Sequence, residues 1–216
     1  MTAPERAPRH RHLPVVHLLS DDEVLARPDF VSRAAALMRE GGSALAVHVR
    51  GHETQGRRSH DLALQLQGVA RDTGAWLIIN DRIDVAMAVE ANGVQLAQHS
   101  LSLNEARAVG GASLRFGVSV HGADEARAAL GADWLLVGTL WATPSHQGRA
   151  GAGTDRLVEV ARVNSAPRIG VGGITPQRAR KVRDQGGAGV AVLRGIWAAP
   201  HPIEALNEYL TAWHDT

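Results

Sequence analysis

The sequence predicts an α/β protein built as a single (β/α)8 TIM barrel, and three observations predict it. Short aliphatic or β-branched runs recur along the chain. Each is followed by a longer Ala-, Arg- and Glu-rich stretch with helical period. The alternation repeats eight times. Strand followed by helix is the pattern of parallel βα units, and eight of them close a barrel, whereas a doubly wound sheet usually stops at about five to seven strands.

Taken in order, VVHLLS at 15–20 is the first strand, and a helical pattern follows over 29–40. ALAVHVR at 44–50 leads into 57–73, and WLIIN at 76–80 into 82–91. GVQLA at 93–97 precedes 103–110, LRFGVSV at 114–120 precedes 123–130, and WLLVGTL at 134–140 precedes 153–163. RIGVGG at 168–173 and GVAVLRG at 189–195 complete the set, with helices over 176–185 and 203–213. The segments ANGVQL, GADWLLVG and GGAGVAVL each place small residues just before an apolar strand, as suits the left-handed turn that ends a helix. Their spacing varies, so they mark a shared turn preference and not a tandem repeat. No linker divides residues 14–216, which are read as one barrel domain. Residues 1–13, rich in Pro, Arg and His, are read as a disordered arm.

Composition narrows the function classes. A chain of 216 residues with 44% hydrophobic content can bury a sizeable core. Lys+Arg 23 against Asp+Glu 22 gives a net charge of +1, which argues against nucleic acid as a partner. The absence of cysteine removes disulfides, thiolate nucleophiles and cysteine-bound zinc. No segment approaches the roughly 20 apolar residues of a membrane span, and the opening lacks an apolar stretch of signal-peptide length. The expectation is a cytoplasmic protein with neither a membrane nor a nucleic-acid partner.

In such a barrel the chemistry lies at the C-terminal ends of the strands. Those positions hold Ser20-Asp21-Asp22, His48, Arg50 and His52, Asn80-Asp81-Arg82, Gln95 with Gln98-His99-Ser100, His121, the stretch from Thr139 to His146, Gly172-Gly173 and Arg194-Gly195. The glycines after the last two strands allow close backbone approach, and each precedes a helix start, so Gly172, Gly173, Arg194 and Gly195 are candidates for binding a phosphate. His121 follows the fifth strand and is the candidate proton carrier, because an imidazole takes or gives a proton near neutral pH. His48, His52 and His146 lack the spacing of a zinc site, so no metal is expected.

The segments LIINDRIDVAMAVEANGVQL, GVSVHGADEA, GADWLLVGTLWATPS and IGVGGITPQRARKVRDQGGAGVAVLRGI resemble the thiamine-phosphate synthase and TenI family of barrels, and the likeness runs from about residue 14 onward. One branch of that family couples a pyrimidine diphosphate to a thiazole phosphate with Mg2+. Its pattern has Gln-x-Arg-x-Lys after strand two, Asn-Asp at strand three, Gly-Gln-Glu-Asp after strand four and Thr-x-Thr-Lys after strand six. Here strand two ends in His48-Val-Arg50-Gly-His52, Asp81 is kept, Ser100 stands where the second carboxylate would be, and His146 stands for the strand-six lysine. A hard dication wants carboxylate oxygens and a departing diphosphate wants fixed positive charge. These departures, with Gln95 where synthases tend to have His, point to the other branch.

The resemblance to that branch implies a thiazole tautomerase, an isomerase that aromatises a carboxythiazole phosphate by a metal-free proton shift. His121 would be its acid/base and Gly172, Gly173, Arg194 and Gly195 would hold the phosphate. No cofactor is expected, Mg2+ entering only under the synthase alternative, in which histidines stand in for the lysines. A further alternative is a catalytically silent member that keeps the phosphate site. The family also implies a homodimer.

Arg50 has two readings, a bidentate partner for the substrate carboxylate or a bridge to Asp81. Asp81 is expected to open the helix after strand three, and Ser20, Asp21 and Asp22 to cap the first helical segment. Trp141 and Trp197 are read as edge aromatics, able to wall a flat ring.

Overall fold

A computed structural model describes residues 13–98, 100–143 and 151–215. It contains the eight expected strands: β1 Val16–Leu18, β2 Leu45–Val49, β3 Trp76–Asn80, β4 Gly93–Leu96, β5 Arg115–Val120, β6 Trp134–Val137, β7 Arg168–Val171 and β8 Gly189–Val192. Every neighbouring pair is parallel, and β1 also pairs with β8, so the sheet closes on itself in sequence order. The predicted (β/α)8 barrel is the observed fold. Leu13, which the sequence reading assigns to the arm, packs against the barrel interior; residues 1–12 lie outside the described residues.

The helices are α1 Asp22–Ala26, α2 Phe30–Gly41, α3 Gly56–Thr73, α4 Ile83–Ala88, α5 Leu103–Gly110, α6 Ala123–Ala128, α7 Asp155–Ala161, α8 Pro176–Asp184, α9 Arg194–Trp197 and α10 Pro202–His214. Local chemistry starts several of them. Asp21 accepts from the Val24 N–H at the head of α1, and Ser102 and Glu105 form a reciprocal capping box on α5. Thr175 caps α8, with Pro176 in its first turn, where a missing N–H costs nothing. Helices α4, α6 and α7 are shorter than the hydrophobic period suggests.

The period-two alternation of the strands divides the core into two layers. Val16, Leu18, Val47, Val49, Leu77, Ile79, Val94, Leu135 and Val137 face the helices. Leu19, Ala46, Trp76, Ile78, Trp134, Leu136, Ile169 and Ala191 fill the barrel. The interior also carries polar side chains. His17 and His48 are fully buried with Nδ1 of the first 2.9 Å from Nε2 of the second. Trp134 Nε1 donates to Gln95 Oε1 at 2.8 Å, and Gln95 Nε2 donates to Ser119 Oγ at 3.1 Å. The Trp134 indole fits only because β5 has Gly117 opposite it; a Cβ there would lie 2.1 Å from the ring.

α10 closes the ring of helices. Tyr209 on it donates its hydroxyl to the Ile174 carbonyl at 2.9 Å, Arg183 of α8 reaches the Trp213 carbonyl, and Asn207 donates to Glu40 of α2. This helix thus touches both the first and the seventh βα units.

Candidate active site

The parallel barrel brings all eight strand ends to one face, and the polar residues there form interlocked groups. At the mouth of β1 and β2, Ser20 is buried and its hydroxyl faces the His48 and Arg50 carbonyls, each at 2.9 Å, while it accepts the Arg50 N–H at 2.8 Å. Arg50 is half-buried. Its guanidinium donates to the Ser20 carbonyl at 3.3 Å and lies 2.6 Å from His52 Nε2. Burial lowers its pKa from the ordinary arginine value, opposed by the fields of Asp21, Asp81 and Asp22. Among the described residues no carboxylate pairs directly with it, so of its two readings the bridge to Asp81 is not formed.

Asp22 does not cap α1 as expected. Its carboxylate accepts the His52 N–H at 2.8 Å, the Glu53 N–H at 3.1 Å and the Thr54 hydroxyl at 2.6 Å, tying the loop after β2 to the loop after β1. Burial of the carboxylate opposes ionisation, but the hydrogen bonds from Thr54 and the loop amides outweigh it and lower the pKa.

Asp81 likewise departs from its expected role. It sits at φ 60, the left-handed region that only a few non-glycine residues adopt, and α4 begins after Arg82. Its carboxylate crosses to the loop after β4, where Oδ1 accepts from the Ala97 N–H at 2.9 Å and from the Ser100 hydroxyl. Arg82 turns away to pair with Asp84. A single carboxylate therefore faces the mouth from this side, propped by the serine that replaces a second one.

His121 follows β5 on the rim. Its N–H donates to Glu125 at 2.8 Å, and its Nδ1 lies 3.0 Å from the same carboxylate oxygen. With Nδ1 turned to Glu125, Nε2 is the ring nitrogen left for other contacts. Glu125, on the first turn of α6, is a residue the sequence reading overlooked, although the i,i+4 spacing from His121 was available as a signal.

Gly172 and Gly173 both have positive φ, 100 and 60. A Cβ on the first would meet the Thr139 side chain at 2.4 Å, and on the second the Ala142 carbonyl at 2.9 Å, so the two glycines allow the β6 and β7 ends to touch. Arg178, another overlooked residue, donates to the Gly173 carbonyl at 2.6 Å and lies over the Trp141 ring. Arg194 and Gly195 form the first turn of α9, where N–H groups lack helical acceptors. Gly195 also packs on Tyr209, whose hydroxyl a Cβ would approach to 2.3 Å.

The remaining candidates separate. His48 points into the barrel, away from His52, and no group of three or more His, Asp or Glu able to hold a metal occurs among the described residues. Trp197 is core, donating its indole N–H to the Leu19 carbonyl at 2.7 Å. Gln95, 1% exposed, belongs to the interior network. His99 and His146 lie outside the described residues. No helix among the described residues is long and apolar enough to cross a membrane.

Fold and rim together define a (β/α)8 protein whose charged and glycine-rich groups converge on the C-terminal face of its strands, the face that carries the chemistry in barrel enzymes. The chain belongs to the family described as thiamine monophosphate synthase, whose model matches residues 16–196. It is 36% identical over 176 residues to a thiamine-phosphate synthase of Natronomonas pharaonis, covering 79% of this chain and 82% of that one. It is 32% identical over 203 residues to a thiamine-phosphate synthase of Desulfitobacterium hafniense strain Y51, covering 93% and 97%. The thiamine phosphate pyrophosphorylase of Pyrococcus furiosus superposes with a TM-score of 0.78 at 25% identity, covering 92% of this chain and 95% of that one.

These relatives overturn the expectation of an isomerase. The sequence relatives are named as synthases, which are transferases, and the structural neighbour as a thiamine phosphate pyrophosphorylase, so the thiazole tautomerase reading falls. Ser100 is bonded to Asp81 and His52 to Arg50, so both substituted residues remain attached to the groups they would have served.

Proposed function

We propose that this chain is a transferase of the thiamine-phosphate synthase type, joining a pyrimidine diphosphate to a thiazole phosphate. The observation that supports it best is the rim formed by β1 to β4, where a half-buried guanidinium, without a carboxylate partner among the described residues, stands near the propped carboxylate of Asp81. In the reaction a carbon–oxygen bond of the pyrimidine substrate breaks with its electron pair leaving on diphosphate, and a bond forms from that carbon to the thiazole ring nitrogen. Negative charge grows on the departing group, and Arg50 is placed to donate to it. Ser20 fixes Arg50 from below through both backbone groups, so the guanidinium is oriented before substrate arrives.

Magnesium fits this rim in a restricted way. Mg2+ is commonly held by one or two carboxylates, with phosphate oxygens and water completing its shell. Asp81 supplies one carboxylate, with Oδ1 already engaged by Ala97 and Ser100 and the other oxygen left for the ion. The ion would neutralise charge on the diphosphate. Gly172, Gly173, Arg194 and Gly195 are assigned to the thiazole phosphate, through backbone N–H groups and the Arg194 side chain. The coupling moves no proton between carbons, so His121, steered by Glu125, serves as a hydrogen-bonding wall and not as a carbon-acid base.

The test is direct. Purified protein supplied with both substrates and Mg2+ forms thiamine phosphate and releases diphosphate, and Asp81→Asn lowers that rate at least about a hundredfold while circular dichroism is unchanged. Failure of the unmodified protein to form product under these conditions refutes the assignment.

A further inference from the structure

Tyr209 belongs to α10, in the ring of helices, yet its hydroxyl meets both glycine turns of the rim. It donates to the Ile174 carbonyl at 2.9 Å, directly after Gly172 and Gly173. On its other side lies Gly195, where a Cβ would collide with the phenol oxygen and come within 3.3 Å of the ring carbon that bears it. The side chain is 3% exposed, and a carbonyl has no proton to give, so the phenol is the donor. Burial pushes its pKa up to about 12, which keeps that proton in place throughout the neutral range. A phenylalanine would fill the same apolar space without the cost of burying an oxygen, so what the hydroxyl adds is the link between the two turns.

Backbone geometry shows what the link controls. In a planar trans peptide the C=O and the following N–H point in opposite directions. Arg178 of α8 holds the Gly173 carbonyl at 2.6 Å, and Tyr209 holds the Ile174 carbonyl. Two successive peptide planes are thereby fixed, and with them the aim of the Ile174 and Thr175 N–H groups. The Ile174 carbonyl is drawn into the layer of side chains that faces the helices, so the Thr175 N–H points away from it. α9 is pinned separately at its far end, where Arg27 donates to the Trp197 carbonyl at 3.2 Å and the Trp197 indole donates to the Leu19 carbonyl at 2.7 Å. Gly195 is thus pressed between a fixed helix and the phenol oxygen, and that oxygen sets the spacing of the two turns.

We propose that Tyr209 is a positioning residue for phosphate binding: its hydroxyl gauges the gap between the turns after β7 and β8 and aims their N–H groups at the thiazole phosphate. The identity of that anion rests on the transferase reading. The link between the turns does not.

Calorimetric titration of the full chain with the thiazole phosphate tests this. Tyr209→Phe keeps the ring, with the fold checked by circular dichroism, and is expected to raise the Kd about tenfold, because a shifted turn loses several aligned contacts together. Asn207→Ala releases α10 from Glu40 of α2 with Tyr209 in place, and is expected to bind as the unmodified protein does. Gly195→Ala should weaken binding in the unmodified chain and add less in Tyr209→Phe, where the colliding oxygen is gone. An unchanged Kd in Tyr209→Phe overturns the proposal. So does an equal loss in Asn207→Ala, which would reduce the effect to a loosened α10, and so do strictly additive losses from Gly195→Ala and Tyr209→Phe. Failure of the unmodified protein to bind the thiazole phosphate overturns the site itself. Thiamine phosphate formation is read separately. In turnover the loss is expected in KM for the thiazole phosphate, with kcat and the KM for the pyrimidine diphosphate unchanged, and a fall in kcat alone overturns the role. Turnover by the unmodified protein with an unchanged Kd in Tyr209→Phe leaves the transferase standing and removes this inference, and a tenfold loss of binding without turnover by the unmodified protein does the reverse.

Discussion

Lowering the pH from 7.5 to 5.0 sets the buried histidines of the barrel against the unfolded chain. His17 is fully buried, and desolvation pulls its pKa from 6.5 down to about 3. Burial likewise holds His48 well below the usual value, and the neighbouring Asn80 amide only partly opposes it. His17 Nε2 has no hydrogen-bond partner among the described residues, and the Pro14 backbone only partly opposes the effect of burial. At pH 5 the folded protein leaves His17 neutral while an unfolded chain protonates it, so protons favour unfolding. The stability due to this group is full above about pH 6.5 and declines as pH falls toward about 3. At pH 5 the linkage for His17 alone is about 2 kcal/mol, a large share of typical domain stability, and His48 acts in the same direction. Urea denaturation at pH 7.5, 6.0 and 5.0, followed by circular dichroism, reads the effect. His17→Gln keeps an amide beside His48 and removes the titrating group, so the unmodified protein should lose about 2 kcal/mol more than the variant between pH 7.5 and 5.0. Equal losses in the two proteins would refute the claim that the interior excludes the proton.

Two further outcomes follow from single contacts. Gly117→Ala places a Cβ 2.1 Å from the Trp134 ring and should cost about 1–3 kcal/mol, seen as a fall in thermal midpoint. Ser20→Ala strips the Arg50 N–H of its acceptor near the barrel mouth; it should cost about 1–3 kcal/mol in urea unfolding and raise the Kd for diphosphate, since the guanidinium loses its fixed base.

The barrel was legible because strand alternation and helix period are dictated by which face is buried, and a periodic signal of eight units tolerates errors at each boundary. Rim positions were legible for the same reason, since a parallel barrel gathers every strand end on one face. What the rim residues bond to was hidden. Asp81 looks like a helix opener from Asn80-Asp81-Arg82, yet its left-handed backbone sends the carboxylate sideways to Ala97 and Ser100. Asp22 looks like a cap and is a tie between two loops. Treating Ser100 and His52 as lost charges led to the isomerase branch, because a substitution read in one dimension shows the missing group and not the neighbour that keeps the position in use. His17 carried no rim position, and only the closed interior explains why an imidazole faces another there.

The contacts of α10 have a consequence for the order of events at the ribosome. Synthesis runs from the N-terminus, so β1 and α2 emerge first and wait with an unpaired strand edge and an uncovered helix face. Their partners, β8 and residues 202–214, arrive after every other unit of the barrel. The earliest units can associate locally, but the ring becomes complete only after β8 and α10 leave the exit tunnel. A barrel that lacks α10 keeps its β1–β8 pairing but leaves the α2 and α8 faces uncovered, and such a product is a substrate for chaperones and proteases.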